Sequence, residues 1–246
     1  MSDLLRPPPA GLLHGAALFL DFDGTLVELA ESPGAIRVPA TLRPLLERLF
    51  DRLDGRIAVI SGRAIADLDS HLGRCGIAVS GSHGLEMRFA DGAHLPLAAP
   101  GGLGEARAAL RDAAAADPRL LIEEKPASIA LHFRQAPERA EEAEALAADL
   151  ARRTGLSVQP GKMVVELRPP GADKGDALRR LMREPVFAGA RPLFMGDDLT
   201  DEHAFAAASA LGGAGILVGP ERPTAAGWRL ADVSEAARWL EEAARG

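Results

Sequence analysis

The sequence predicts an α/β protein, with a Rossmann-like parallel-sheet core interrupted by an inserted α+β domain that has an antiparallel sheet of its own. Three observations carry this. At both ends of the chain, short apolar runs end at acidic or small polar residues and are followed by segments with helical spacing, the βα rhythm of a buried parallel sheet. The middle instead holds short β-like pieces in pairs, separated by long helical stretches. Glycine and proline cluster where the two textures meet, near Gly81 and at Pro169-Pro170-Gly171. The core is therefore expected at residues 1–82 and 170–246, and the insertion at 83–169.

Pro7-Pro8-Pro9 reads as a loose arm. The first strand, Ala16 to Leu20, delivers Asp21-Phe22-Asp23-Gly24-Thr25 to its carboxyl end, where open α/β sheets bind ligands. Alternation lets Asp21 and Asp23 share a side while Phe22 turns into the core, and Thr25 adds a hydroxyl. After a loop broken by Pro33 and Gly34, Pro39 and Thr41 open a helix whose apolar face is Leu42, Leu45, Leu46, Leu49 and Phe50. Ile57 to Ile60 is the next strand, and its end at Ser61-Gly62-Arg63 offers a hydroxyl and backbone N–H groups as an anion seat. A helix marked by Ile65, Leu68 and Leu72 and a strand from Ile77 to Ser80 lead into Gly81-Ser82-His83-Gly84.

The inserted segment pairs Leu85 to Phe89 with His94 to Leu97, then Leu120 to Glu124 with Ile129 to Phe133, then Leu156 to Gln159 with Met163 to Leu167. Helices from Leu103 to Ala116 and from Pro137 to Arg153 lie between them. Beyond it, Asp173 caps a helix carrying Lys174 in its first turn, where a cation opposes the macrodipole and calls for an anionic partner such as Asp21 or a bound phosphate. Leu193 to Met195 ends at Gly196-Asp197-Asp198, and Thr200-Asp201-Glu202 opens another helix. Ala214 to Val218 and a helix from Val233 to Ala243 complete the core, with Trp228 and Trp239 in packing roles.

Composition narrows the partners. A net charge of −7 over 246 residues argues against nucleic acid or an anionic membrane as a partner, because phosphate backbones need an extended basic surface. The single cysteine, Cys75, precludes an internal disulfide and a cysteine metal cluster, and points to a reducing, cytoplasmic setting. No apolar run reaches transmembrane length, and the start lacks the layout of a signal peptide. Only Lys125, Lys162 and Lys174 among the 28 basic residues are lysine, which marks them as positions where a compact charge is wanted over a guanidinium fork.

Asp21, Asp23, Ser61, Lys174, Asp197, Asp198 and Asp201 all fall at strand ends or helix starts of one sheet edge. Adjacent carboxylates need a cation, and Mg2+ held by Asp21, Asp197 and the carbonyl of Asp23 would neutralise phosphoryl oxygens. Ser61 and Lys174 would hold the rest of the phosphate, Asp21 would attack phosphorus, and Asp23 would serve as acid and then base.

The set Asp21-Phe22-Asp23-Gly24-Thr25, Ser61-Gly62-Arg63, Lys174-Gly175 and Gly196-Asp197-Asp198-Leu199-Thr200-Asp201 resembles the four motifs of the haloacid dehalogenase phosphohydrolase superfamily. Gly81-Ser82-His83-Gly84-Leu85-Glu86 and the run through Glu202 are similar to those of trehalose-6-phosphate phosphatases. The resemblance implies that the insertion is a cap for substrate recognition that closes to exclude water. It also implies a phosphate and sugar site drawing on Thr25, Ser61, Gly62, Arg63 and His83. In the cap it implies sugar contacts from Lys125, His132, Arg134, Lys162 and Glu166. On this reading the substrate is a small sugar phosphate, the cofactor is Mg2+, and the protein is a monomer or small homo-oligomer. The rival readings are a phosphatase for sucrose 6-phosphate or mannosyl-phosphoglycerate, a phosphosugar mutase, or a binding module without turnover. Within the insertion, alternation puts His132 and Arg134 on one strand face and gives Lys162 and Glu166 matching parity.

Overall fold

A computed structural model describes residues 5–30, 36–73, 76–95, 101–125, 127–161, 163–170 and 173–245. Pro33, Gly34, Cys75, Leu97, Lys162 and Gly171 lie outside the described residues. The chain divides into two compact units, Met1–Pro96 with Ala172–Gly246, and Leu97–Gly171.

The first unit carries β1 (Ala16–Leu20), α1 (Leu42–Arg52), β2 (Ile57–Ile60), α2 (Ile65–Leu72), β3 (Ala78–Gly81), β4 (Glu86–Arg88) and β5 (His94–Leu95). The second carries α3 (Leu103–Ala116), β6 (Leu121–Glu124), β7 (Ile129–His132), α4 (Ala140–Thr154), β8 (Ser157–Gly161) and β9 (Val164–Arg168). The chain then returns to the first unit with α5 (Lys174–Leu181), β10 (Arg191–Gly196), α6 (Glu202–Ala210), β11 (Ala214–Val218), β12 (Trp228–Leu230) and α7 (Val233–Arg245).

The large sheet has the order β12-β11-β10-β1-β2-β3-β4-β5. From β12 to β3 every pairing is parallel. The chain leaves β1 toward β2 on one side, while β10 lies on the other, so the strand order reverses between β1 and β10. That reversal opens the crevice at which such sheets place ligands. Alternation along β1 feeds two cores: Leu18 and Leu20 pack with Leu45, Leu46 and Leu49 of α1 and Leu240 of α7, while Ala17 and Phe19 pack with Leu178 of α5 and Phe205 of α6. With both faces covered, the strand reads as an uninterrupted apolar run.

Two features differ from expectation. The hairpin, described through Leu95, does not join the inserted sheet, because β4 runs antiparallel onto β3, pairing Ser80 with Met87 and Gly81 with Glu86, and β5 follows on β4. Met87 is buried in the core beside Ala78, and the Glu86 carboxylate accepts the N–H of Ile65 at the start of α2. Apolar burial and a helix cap thus bind the hairpin to the first unit. The proline arm is also tied down, since Trp239 Nε1 donates to the Pro8 carbonyl at 3.0 Å and Pro8 is buried.

The second unit is a four-stranded antiparallel sheet, β6-β7-β9-β8. Ile129, Leu131, Val165 and Leu167 pack against Leu103 and Leu110 of α3 and Leu150 of α4. Glu123, Ala130 and Glu166 lie opposite one another across β6, β7 and β9, so they share the other face. The strand ends at His132, which leaves Arg134 exposed on a turn and takes it out of the alternation that was expected to align the two. Among the described residues, no helix is long and apolar enough to cross a membrane.

Candidate active site

Asp21 leaves β1 directly beside β10, and its N–H donates to the Met195 carbonyl at 2.9 Å. Asp197 follows the end of β10, and Gly24 makes room for it: a Cβ there, at φ +76, would run into the Asp197 carboxylate. Gly196 does the same for Asp201. The result is a cluster in which Asp21, Asp197 and Asp201 offer carboxylate oxygens within 4.8 Å of one another.

Lys174 enters the cluster from the first turn of α5. Its ammonium, 3% exposed, donates to Asp21 Oδ1 at 2.8 Å and to Asp201 Oδ1 at 2.7 Å. Gly175 makes this possible, because a Cβ there would collide with the His203 carbonyl of α6. Asp173 caps α5 by accepting the Asp176 N–H. Asp201 also accepts the N–H groups of Asp197 and Asp198, at 2.9 and 3.0 Å, which sets the shape of the loop. Asp198 accepts from the N–H and hydroxyl of Thr200 and completes a capping box with Asp201.

Burial dominates the electrostatics. It pushes the Asp21 carboxyl up to about 7 against the opposing pull of Lys174, pushes Asp197 up to about 7 with help from Asp201, and pushes Asp201 up to about 8 with help from Asp21. Burial would lower Lys174, but the charges of Asp21 and Asp201 prevail and raise it. For Asp198 burial is outweighed by Lys174 and the Thr200 hydrogen bonds, and its carboxyl is lowered. One ammonium cannot balance these acids, and a hard divalent cation suits a donor set made only of oxygen. Thr25, 1% exposed, adds a buried hydroxyl with no partner among the described residues, so this group of side chains fits Mg2+ with its waters and anions.

The raised pKa values set a testable pH dependence. A carboxyl raised in the folded state contributes stability that is full below its unfolded pKa of ~3.9 and is lost as pH climbs to the folded value. For Asp21, Asp197 and Asp201 that window closes at about 7 to about 8. The melting temperature of chelator-treated protein is therefore expected to fall from pH 5 to pH 8, and the rise on adding Mg2+ to be larger at pH 8, as read by differential scanning fluorimetry.

The other predicted residues fall into three groups. Asp23 lies apart from the acidic cluster: its two carboxylate oxygens accept from Arg63 Nε at 2.6 Å and Nη2 at 2.8 Å. Arg63 Nη1 donates to Asp67, so this side chain, expected to bind substrate, is engaged by two carboxylates. Ser61 is buried, and its Oγ accepts the Arg63 N–H at 3.1 Å. His83, in the left-handed region at φ +56, donates its N–H to the Ser61 carbonyl, and its ring covers Gly62 so closely that a Cβ there would lie 2.6 Å from Nε2. Ser82 N–H donates to the Arg63 carbonyl, and Glu86 accepts from the Ser82 hydroxyl, which makes residues 61–65 and 81–86 one folded piece.

In the second unit, Lys125 Nζ donates to Glu166 Oε1 at 3.1 Å, and the Ser128 hydroxyl donates to the same oxygen. His132 Nε2 lies 2.9 Å from Glu123 Oε2, which also sits 3.9 Å through its other oxygen from Lys125. Lys162 lies outside the described residues.

Three residues were not picked out from the sequence. Glu123 lies on β6 and Lys125 just past its end, so strand alternation alone does not pair them. Asp67 stands four positions after Arg63, the spacing of a helical ion pair. Arg222 donates to the carbonyls of Asp197 and Asp198 and to Glu202, steadying the acidic loop from a segment between β11 and β12 that has no periodicity to flag it.

Residues 19–234 match the family model described as Trehalose-phosphatase. A probable trehalose-phosphate phosphatase of Sinorhizobium fredii is 41% identical over 213 residues, 86% of this chain and 80% of the relative. The trehalose-6-phosphate phosphatase of Escherichia coli K12 is 37% identical over 230 residues, 92% of this chain and 85% of the relative. A crystal structure described as a trehalose-6-phosphate phosphatase related protein superposes with a TM-score of 0.74 at 28% identity, covering 93% of this chain and 96% of the other. With matches of this extent joined to the acidic cluster at the β1 and β10 strand ends, the chain belongs to the trehalose-phosphatase family of phosphoric monoester hydrolases.

Proposed function

We propose that this protein hydrolyses trehalose 6-phosphate to trehalose and phosphate, with Mg2+ as cofactor and Asp21 as the group that carries the phosphoryl unit. The observation that supports this most is the placement of Asp21, buried at the β1 end between Lys174 and the Asp197 loop. Asp21, Asp197 and the carbonyl of Asp23 would hold Mg2+, which supplies charge neutralisation of the phosphoryl oxygens.

The steps for this chain's own residues follow. One Asp21 oxygen attacks phosphorus as the bond to the sugar oxygen breaks, and Asp23 gives that oxygen a proton. Asp23 then takes a proton from water, whose oxygen attacks phosphorus and frees Asp21. Lys174 orients the Asp21 carboxylate and pulls against the burial that favours its protonation. The Ser61 oxygen already accepts the Arg63 N–H, which leaves its own hydroxyl hydrogen for a phosphoryl oxygen. In the second unit, the face formed by Glu123, Lys125, Ser128, His132 and Glu166 offers donors and acceptors suited to sugar hydroxyls, and we assign it sugar recognition as the cap. The single cysteine agrees with a cytoplasmic setting.

Phosphate release from a panel of sugar phosphates at equal concentration tests this. Trehalose 6-phosphate is expected to give the fastest release, and chelator is expected to stop it until Mg2+ is restored. Preference for another sugar ester refutes the substrate, and chelator-resistant turnover refutes the cofactor.

A further inference from the structure

We propose that Arg222, paired with Glu202, sets the affinity of the site for its divalent cation by fixing the backbone that carries Asp197. The inference rests on the reading of Asp197 as a Mg2+ ligand given above. The peptide joining Asp197 to Asp198 is held at both ends: its N–H donates to Asp201 Oδ2 at 3.0 Å, and its carbonyl accepts from Arg222 Nη2 at 3.3 Å. The same Nη2 donates to the Asp198 carbonyl at 2.7 Å, and the Asp197 N–H donates to Asp201 Oδ2 at 2.9 Å. Both peptide planes flanking Asp197 are thus pinned, which leaves its side chain little besides its own torsions to lose when a cation binds.

Arg222 is placed for this by Glu202, the first residue of α6. Nη1 donates to Glu202 Oε1, which also accepts the Thr224 hydroxyl at 2.8 Å, while Oε2 accepts the Ala225 N–H at 2.7 Å. The acidic loop is therefore gripped through its N–H groups by Asp201 and through its carbonyls by a guanidinium anchored to the start of α6. This pairing also settles the sign of the effect. A guanidinium near a cation seat repels the cation, so on charge alone its removal would tighten binding. Glu202 offsets that charge and leaves the grip on the carbonyls to dominate. Arg222 is a positioning residue, and it acts on the cation through the backbone of Asp197.

Isothermal titration of chelator-cleared, full-length protein with Mg2+ alone compares wild type, Arg222→Ala and Arg222→Met, the last of which keeps the apolar stem. Loss of a group that orients a metal ligand typically weakens the metal roughly 10- to 100-fold, and both variants are expected to raise Kd for Mg2+ by about 10-fold or more. Phosphate release from trehalose 6-phosphate is then expected to show a deficit that shrinks as Mg2+ is raised, with KM for the sugar ester changed by less than about 2-fold. An unchanged or lower Kd overturns the proposal, as does a deficit that is the same at every Mg2+ concentration. If Arg222→Ala unfolds, Arg222→Met supplies the same comparison. Loss of the cation-free melting transition in both variants makes the guanidinium a strut of the fold and overturns the proposal too. Wild type that takes up no Mg2+ refutes the parent reading instead, and this is seen before any variant is compared.

Discussion

Asp21→Asn is expected to lower phosphate release by on the order of 10⁴-fold or more, because the nucleophile is lost. The fold is expected to survive. Asparagine fills the same volume, and burial that pushes the Asp21 carboxyl up to about 7 disfavours its charge, so a neutral side chain relieves that penalty. Lys174 keeps a carboxylate partner in Asp201 at 2.7 Å. Phosphate assay and thermal melting on one sample check both halves. A variant that still turns over removes Asp21 from the role of nucleophile.

Lys174→Met is expected to be the most destabilising of these changes. The ammonium is 3% exposed and lies between two carboxylates, and taking away one member of a buried ionic group leaves uncompensated charge, a loss of ~3–5 kcal/mol. The remaining acids can escape by holding protons, so the penalty is expected to be smaller at pH 5 than at pH 8. Denaturant midpoints at the two pH values measure this. Equal stability of variant and wild type at pH 8 would mean that the acids do not depend on Lys174. The same variant is expected to release no phosphate, since the Asp21 carboxylate then lacks its orienting cation.

Much of the first unit was legible because its strands are covered on both faces. A run such as Ala16 to Leu20 has no solvent side, and the observed strand begins and ends where the apolar run does. The acidic motifs were legible for a related reason, since chemistry at a strand end leaves charge directly after an apolar run, as at Asp21 and Asp197. Partner choice was not legible. The hairpin of β4 and β5 has the same local pattern as the strands of the second unit, and what assigns it to β3 is the contact of Glu86 with the start of α2, twenty-one residues back. Arg222 illustrates the same limit, since it reaches the Asp197 and Asp198 carbonyls from a loop whose sequence carries no spacing signal. Asp23 was expected to lend its backbone carbonyl to the cation and its side chain to acid-base chemistry, and that side chain meets Arg63, a long-range pairing that alternation along the chain does not encode.

Acid-quenched mixtures of enzyme, Mg2+ and trehalose 6-phosphate labelled in its phosphate address the central claim most directly. Label bound to protein, labile to hydroxylamine as an acyl phosphate is, and mapped to the peptide containing Asp21, is the predicted result. Free phosphate formed with no protein-bound label at any time, or label on a peptide that lacks Asp21, would contradict it.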